Sequence, residues 1–248
     1  MKIGIIGLGL IGGSLFKDLK KKFDVIAVSK SQNGDNIFKT YDVLKDRDII
    51  FVCTPMNKTL NILDELENIL SENVVVTDVC SLKSFVCNKK RPYKFIPSHP
   101  MAGTENKGFE NSFEGLFKGA KWVITGEENV LLTEIINYLG AKPVFTTPEE
   151  HDKTVAMISH MPMVIAQALM LTAKDNPLAL EIASSGFRDM TRLAMSNEEM
   201  AFDMVSMNST NIEQAILKLY KSVGELINGD YPKTIADIKS IRSQMFKN

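Results

Sequence analysis

The glycine-rich stretch at residues 7–12 constrains the fold of this chain more than any other feature of its sequence. Its letters, GLGLIG, complete the spacing G-x-G-x-x-G directly after a largely apolar run of strand type at residues 2–6. Gly7 would allow the tight turn, Gly9 would let the backbone approach a pyrophosphate, and Gly12 would let the following helix pack against the strand. The stretch therefore predicts a dinucleotide-binding turn between a strand and a helix.

The first turn of that helix completes the predicted phosphate site. Its unpaired N–H groups and the positive end of its dipole would face the phosphates. Leu10 and Ile11 occupy this turn. We therefore include them, with the three glycines, among the residues predicted to bind the cofactor.

Composition limits the classes of protein to which the chain can belong. Its 248 residues suffice for one large domain or two smaller ones, and its formal net charge of -1 gives no reason to expect nucleic acid or an anionic membrane as a partner. The 3 cysteines are odd in number and lack C-x-x-C spacing, which argues against a disulfide framework and a metal site. We expect neither a signal peptide nor an apolar run of about 20 residues that could span a bilayer. A cytoplasmic protein without a bound metal is the prediction.

Strand and helix patterns alternate after the glycine-rich turn. The predicted elements are strands at residues 24–28, 48–54 and 73–79 and a helix at residues 57–70. This alternation predicts a parallel sheet with right-handed crossovers. Residues 32–47 are short and polar for the usual helix and third strand, so this part of the fold is expected to be trimmed. Two further strands, at residues 122–125 and 142–145, are expected to complete the sheet.

From Pro148 onward the strand-type runs disappear and helical periodicity continues. Methionines recur in this part of the chain at spacings typical of a protein core or a subunit interface. The predicted fold class is therefore an α/β Rossmann-type dinucleotide-binding domain at residues 1–148, followed by an all-α domain at residues 149–248.

The residues that follow the second strand predict which cofactor is bound. An acidic side chain there would bind the ribose 2′-hydroxyl of NAD, but this chain has Ser29, Lys30 and Ser31. Hydroxyl groups and a lysine suit the 2′-phosphate of NADP, because they donate hydrogen bonds and positive charge. Alternatively, Lys30 is a solvated lysine of the turn. We favour NADP over NAD, and we expect Thr54 and Pro55, at the end of another strand, to lie on the same cofactor rim.

Two segments of this rim carry candidate catalytic groups. Ser81 and Lys83 follow a strand at a point where a helix should begin, so Ser81 is a helix N-cap, a catalytic hydroxyl, or both. His99 lies in a loop bounded by proline and glycine. An imidazole there is a candidate proton acceptor near neutral pH.

The helical part of the chain carries further candidates. His151 and His160 are nine residues apart and would lie on opposite faces of a continuous helix, which argues against a metal pair. A break of small residues precedes Arg188 and Arg192. One of these arginines could clamp a substrate carboxylate, while the other would pair with Asp189 or be solvated.

In their order along the chain, these segments resemble the prephenate/arogenate dehydrogenase family of tyrosine biosynthesis. The resemblance rests on GLGLIGGS at 7–14, DVCSLK at 78–83, SHPMAG at 98–103, HDKTVAMISHMP at 151–162 and SSGFRDMTR at 184–192. It implies oxidative decarboxylation of a small-molecule cyclohexadienol, with hydride transfer to NADP or NAD. It also implies a homodimer that forms through the helical domain.

The resemblance assigns roles to individual residues. His99 matches the histidine that takes the proton of the ring hydroxyl, and Ser81 matches the serine that assists there. Arg192 matches the arginine that holds the ring carboxylate. Ser159 and His160 stand where the family lines its substrate pocket.

Two positions depart from the family pattern. Prephenate-using members commonly have a second histidine where this chain has Met163, and a tryptophan of the family is replaced by Ala201. Met163 remains among the predicted substrate-binding residues. Both changes leave arogenate, which carries an amino group where prephenate has a keto group, as an alternative substrate.

Two other classes of protein stay open. One is a reductase of imines or β-hydroxyacids, and the β-hydroxyacid enzymes would be expected to use a lysine of the second domain, here Lys153, as their proton donor. A redox-sensing module would hold NADP without turnover, although His99 and Arg192 argue against that reading.

Overall fold

The computed structural model describes residues 1–104 and 106–246. Its first sheet contains six strands: β1 (Lys2–Ile6), β2 (Asp24–Val28), β3 (Ile37–Phe38), β4 (Ile49–Val52), β5 (Val75–Asp78) and β6 (Lys94–Phe95). All neighbouring strands are parallel, in the order β3-β2-β1-β4-β5-β6. Helix α1 (Leu10–Leu19) and helix α2 (Met56–Leu66) belong to its crossovers. The predicted Rossmann-type sheet is confirmed.

Residues of the central strands alternate between two hydrophobic cores. Ile3 and Ile5 of β1 pack with Leu15 of α1 on one face of the sheet, whereas Ile6 packs with Leu63 of α2 on the other. Because both faces are covered, the central strands are apolar runs without a polar side. Within residues 32–47, which were expected to be short for a helix and a strand, a 3-10 helix at Tyr41–Leu44 occupies the place of the usual crossover helix.

The last three strands form a second sheet, so the prediction that the strands at residues 122–125 and 142–145 complete the first sheet is wrong. They are β7 (Ser98–Pro100), β8 (Lys121–Ile124) and β9 (Lys142–Phe145), and helix α3 (Val130–Tyr138) precedes β9. Strand β7 pairs antiparallel with β8, which pairs in parallel with β9.

Proline explains part of this separation. Pro97 precedes the short strand β7 and Pro100 is its last residue, and neither has an N–H group to donate to a strand ladder. Strand β7 is instead linked to β5 through side chains, with Thr77 Oγ1 and Ser98 Oγ 2.8 Å apart. His99 is consequently held in a strand, and its predicted position in a loop is wrong.

All regular elements after residue 147 are helical in the part of the chain that the structure describes. They are α4 (Pro148–Val155), a π-helical turn (Ala156–His160), α5 (Met161–Ala173), α6 (Pro177–Glu181), α7 (Ser185–Thr191), a 3-10 turn (Arg192–Met195), α8 (Glu198–Met207), α9 (Ser209–Asn228) and α10 (Tyr231–Met245). Local chemistry fixes the start of α4. Thr147 caps it by accepting a hydrogen bond from the N–H of Glu150, and Pro148 occupies the first turn.

The π-helical turn changes how the two histidines of this region are arranged. Its wider turn precedes Pro162, and it alters the register of a segment that was expected to continue as an ideal helix. His151 and His160 are both buried. The Asn208 side chain donates to His160 Nδ1 at 3.2 Å and to the Asp152 carbonyl at 2.9 Å. The π-helical turn thus interrupts the continuous helix for which the opposite-face arrangement of the two histidines was derived.

The expectation that no apolar run could span a bilayer does not hold for the helical segment Pro148–Ala173. By length and composition alone this helical segment could cross a membrane. However, it carries the buried polar residues His151, Asp152 and His160, and the Asp152 carboxylate accepts hydrogen bonds from the backbone of the first domain. These contacts attach the first part of the segment to the residues that follow β5.

A third hydrophobic cluster joins the two parts of the chain. Its buried members are Met56, Cys80 and Leu82 from the first part and Val155, Met163, Ala201 and Met204 from the helical part. The two positions that depart from the family pattern, Met163 and Ala201, thus belong to the same cluster.

Candidate active site

Two adjoining cavities lie at the carboxyl end of the parallel sheet. The first has a volume of about 390 Å³ and the second about 550 Å³. They share Gly9 of the glycine-rich turn and the Thr54-Pro55 pair that follows β4. Ligands of doubly wound sheets bind at this edge, where the strand order reverses.

The glycine-rich turn has the shape that a pyrophosphate requires. Gly7 has φ +90°, and a Cβ on Gly12 would lie 1.9 Å from the carbonyl oxygen of Gly7. A Cβ on Gly9 would meet no atom of the described residues within 4 Å. Among these residues, no side chain caps α1, and its first turn, which contains Leu10 and Ile11, has no acid. Its N–H groups and dipole therefore suit an anionic ligand, and these residues fit a dinucleotide.

Ser29, Lys30 and Ser31 all line the second cavity. Ser29 Oγ accepts a hydrogen bond of 3.1 Å from the N–H of Gln32. Lys39 Nζ donates to the carbonyl oxygens of Ser29 and Gln32 at 3.0 and 2.6 Å. Lys39 thus stabilises the turn, a role that sequence reasoning missed because this lysine lies in the trimmed stretch.

Ser81 and His99 line the first cavity together. Ser81 does not cap a helix, because residues 81–89 form turns and bends where a helix was predicted. The N-cap interpretation of Ser81 is therefore wrong.

Lys83 is buried rather than directed to the rim. Its ammonium forms an ion pair with the Asp78 carboxylate, and both side chains have 0% exposure. Lys83 Nζ also donates to the carbonyl oxygen of Ser98 at 2.7 Å. This lysine therefore connects the end of β5 to the strand that carries His99.

The surroundings of His99 favour its neutral form. Desolvation, with the positive charge of Lys83 and the nearby His151 and His160, holds the pKa of His99 well below its usual value, and Asp152 opposes this effect. The imidazole is therefore unprotonated near pH 7 and available to accept a proton. His99 Nδ1 lies 3.0 Å from His151 Nε2.

Asp152 is fixed on the other side of His151. Its Oδ1 lies 2.8 Å from His151 Nδ1 and accepts from the N–H of Lys83 at 2.8 Å, and its Oδ2 accepts from the N–H of Ser84 at 2.9 Å. Burial alone would raise the pKa of Asp152, but the hydrogen bonds from His151 and Ser84 lower it overall. Sequence reasoning missed this pair, although the adjacent letters HD at 151–152 were a usable signal.

The structure does not bring the predicted substrate-binding residues to either cavity. Within the described residues, Arg192, Ser159, His160 and Met163 are absent from both linings. Arg192 is exposed, Ser159 is half-buried, and Met163 is buried in the cluster that joins the domains. Burial lowers the pKa of His160 to about 4.

Helix α8 and the residue that caps it supply groups to the first cavity that sequence reasoning missed. Asn197, Glu199 and Asp203 line it together with residues of the first domain. Asn57 connects the two parts across this cleft, because its side chain donates to Glu199 Oε1 at 3.2 Å and its backbone N–H to Asp203 Oδ2 at 3.4 Å. No local pattern indicates these contacts, because they join residues more than 140 positions apart.

The turn that fits a dinucleotide adjoins the cavity that His99 lines, and this arrangement is typical of NAD(P)-dependent dehydrogenases with a Rossmann-type domain. Comparison with known families makes this class specific. The family profile described as "Prephenate dehydrogenase, nucleotide-binding domain" matches residues 20–142, and "Prephenate dehydrogenase, dimerization domain" matches residues 147–229. The chain therefore belongs to the prephenate dehydrogenase family, and the predicted family is confirmed.

Individual relatives agree with this assignment. The chain is 30% identical to a prephenate dehydrogenase of Lactococcus lactis over 91% of its own length and 73% of that protein. It is 32% identical to Synechocystis arogenate dehydrogenase, with a TM-score of 0.80 and coverage of 98% and 97% of the two chains. It is 26% identical to the prephenate dehydrogenase of A. aeolicus solved with hydroxyphenyl propionate and NAD+, with a TM-score of 0.85 and coverage of 99% of each chain.

Proposed function

We propose that the protein catalyses the oxidative decarboxylation of prephenate to 4-hydroxyphenylpyruvate. The observation that carries this proposal is the neutral His99 in the first cavity, beside Ser81 and next to the dinucleotide turn. His99 takes the proton of the ring hydroxyl, and Ser81 holds that hydroxyl. The bound nicotinamide supplies the hydride acceptor. Loss of the ring carboxylate as carbon dioxide then makes the ring aromatic, so the reaction is irreversible.

Arogenate is the second candidate substrate, and its product would be tyrosine. Met163 and Ala201 stand where prephenate-using members commonly have a histidine and the family often has a tryptophan. The carboxylates of Glu199 and Asp203 also line the first cavity, and a carboxylate favours the amino group of arogenate over the keto group of prephenate.

A two-by-two steady-state assay tests both candidates. Prephenate and arogenate are each supplied with NAD and with NADP, and the absorbance of the reduced nicotinamide is followed. Turnover with either acid supports the proposed reaction, and the ratio of kcat/KM values assigns the substrate and the cofactor. If protein shown to bind NADP gave no turnover in any of the four mixtures, the proposed function would be wrong.

We propose NADP as the preferred cofactor. Lys30, Lys39 and Lys58 line the second cavity together with two carboxylates, from Glu65 and Glu110. The positive charge is concentrated on the serine turn, where a 2′-phosphate would bind, because Lys39 Nζ is hydrogen-bonded to that turn.

Replacing Ser29 by aspartate should shift the cofactor preference toward NAD. The new carboxylate would repel a 2′-phosphate and accept a hydrogen bond from a 2′-hydroxyl, so we expect the NADP-to-NAD ratio of kcat/KM to fall by about tenfold or more. The aspartate can still accept the N–H of Gln32, which keeps the turn in place. Ser29→Asn is the uncharged control. An unchanged ratio in Ser29→Asp would show that the turn does not contact the 2′ position.

We propose Arg192 as the residue that holds the ring carboxylate. Arg188, the other candidate, has Asp189 3.6 Å from its guanidinium, whereas no ion pair of Arg192 occurs among the described residues. Arg192→Ala should raise the substrate KM by about tenfold or more with a smaller effect on kcat, because a charged hydrogen bond contributes mainly to binding. Arg188→Ala is the matched control. An unchanged KM in Arg192→Ala would assign the clamp elsewhere, with Arg188 next in line.

We propose that the protein is a cytoplasmic homodimer that pairs through residues 149–248. Large apolar side chains of this part are exposed in the single chain, including Met195, Phe202, Leu217, Tyr220 and Ile227. Exposed apolar area of this extent is typical of an interface. The cysteines are free thiols, as a reducing compartment would keep them. Light scattering on the purified protein measures the oligomeric state.

A further inference from the structure

Three side chains from two parts of the chain form one hydrogen-bonded line that ends at the first cavity. His99 Nδ1 lies 3.0 Å from His151 Nε2, and His151 Nδ1 lies 2.8 Å from Asp152 Oδ1. His99 comes from strand β7 and lines the cavity, whereas His151 and Asp152 come from helix α4 and are buried. The line therefore exists only when the two parts of the chain are packed together.

The far end of the line determines where the protons lie. The Asp152 carboxylate accepts two backbone N–H groups, from Lys83 and Ser84, which stabilise its ionised form. An ionised carboxylate can only accept hydrogen bonds, so the proton between it and His151 belongs to His151 Nδ1. In neutral His151, Nε2 then carries a lone pair. The hydrogen bond to His99 forms only if His99 Nδ1 donates.

We propose that Asp152 and His151 are positioning residues that hold His99 in the Nδ1–H tautomer and leave its Nε2 free to accept the substrate proton. This inference rests on the proposed function of His99 as the base. When Nε2 accepts the proton, His99 becomes an imidazolium whose Nδ1–H still donates to His151. The negative charge of Asp152 at the end of the line stabilises that cation, and no other proton has to move.

The two residues also orient the ring of His99. A base acts only within hydrogen-bond reach of its proton, so rotation of the imidazole would place the wrong nitrogen in the cavity. Lys83 contributes at both ends, because its backbone N–H holds Asp152 and its ammonium holds the Ser98 carbonyl next to His99. We therefore expect loss of His151 to change both the tautomer of His99 and kcat.

The tautomer of His99 can be measured directly because the chain contains few histidines. The protein has only 3 histidines, at positions 99, 151 and 160. Nitrogen NMR of protein labelled in the histidine rings distinguishes protonated from unprotonated ring nitrogens, and single histidine variants assign the three rings. At a pH where the rings are neutral, we expect His99 to show a protonated Nδ1 and an unprotonated Nε2.

Two variants of His151 separate positioning from mere packing. His151→Leu removes the acceptor at similar volume, so we expect loss of the pure Nδ1–H tautomer of His99 and a fall in kcat of about 10- to 100-fold, with the Kd for the cofactor unchanged. His151→Gln places an amide oxygen near the former Nε2, so we expect it to retain the tautomer and most of kcat. Rescue by glutamine would not occur if the ring only filled space.

The control is Tyr93→Phe, which removes another buried hydrogen bond, of 2.7 Å to the Leu63 carbonyl, outside both cavities. It should leave the His99 signals and kcat unchanged. A protonated Nε2 on His99 in the wild-type protein would overturn the inference, and this spectrum needs no variant to fold. An unchanged His99 tautomer in His151→Leu would also overturn the inference. Absence of turnover by the wild-type protein would instead reject the proposed function and leave the tautomer result standing.

Discussion

Replacing His99 by asparagine is expected to lower kcat by about 100-fold or more while the affinity for NAD(P) stays nearly unchanged. Asparagine keeps a polar group in strand β7 but cannot accept the substrate proton. The wild-type imidazole can accept it, because burial and the neighbouring positive charge of Lys83 keep it neutral near pH 7. Steady-state kinetics gives kcat, and cofactor fluorescence titration gives Kd.

Lys153→Ala is the paired variant for this experiment. Lys153 is exposed and belongs to neither cavity lining among the described residues, so its removal should leave kcat unchanged. The reductase alternative makes the opposite prediction, since it uses Lys153 as its proton donor. Near-normal turnover in His99→Asn together with loss of activity in Lys153→Ala would exclude His99 as the base and favour the reductase.

Replacing Lys83 by methionine is expected to lower the free energy of unfolding by about 3 to 5 kcal/mol. The variant keeps the length of the side chain but leaves the Asp78 carboxylate without its cation, and both groups have 0% exposure in the wild type. It also removes the hydrogen bond to the Ser98 carbonyl, so we expect kcat to fall as the strand carrying His99 loosens. Denaturant unfolding measures the stability.

The control for this prediction is an ion pair on the surface. Lys45 lies 2.9 Å from Asp42, and their side chains are 59% and 70% exposed. Lys45→Met should change the free energy of unfolding by no more than about 1 kcal/mol, because water screens the exposed pair. If Lys83→Met proved as mild as Lys45→Met, the buried pair would not be holding β5 and β7 together. The double variant Lys83→Met/Asp78→Asn should recover part of the lost stability, since it removes the unpaired charge.

The first βαβ unit and the start of the helical part could be predicted from the sequence because their signals are local. The G-x-G-x-x-G spacing, the apolar run of β1 and the start of α4 at Thr147-Pro148 depend on backbone conformation and on contacts within a few residues. Turn geometry and helix capping are properties of short segments, so they can be derived without the rest of the fold. The cofactor turn was predicted from its glycine spacing, and the change to helices at Pro148 from helical periodicity, which relates residues only three or four positions apart.

The surroundings of His99, by contrast, depend on contacts between distant parts of the chain. Its neighbour His151 lies 52 residues away in sequence, and the backbone of Lys83 meets Asp152 across 69 residues. The burial of Lys83 and the second sheet likewise depend on which segments pack together, and no local pattern encodes that choice. The sequence around a lysine at the end of a strand can be the same whether its ammonium reaches solvent or pairs with a buried carboxylate. Long-range packing, rather than residue type, buries Lys83 in an ion pair with Asp78 and places His151 within hydrogen-bond distance of His99.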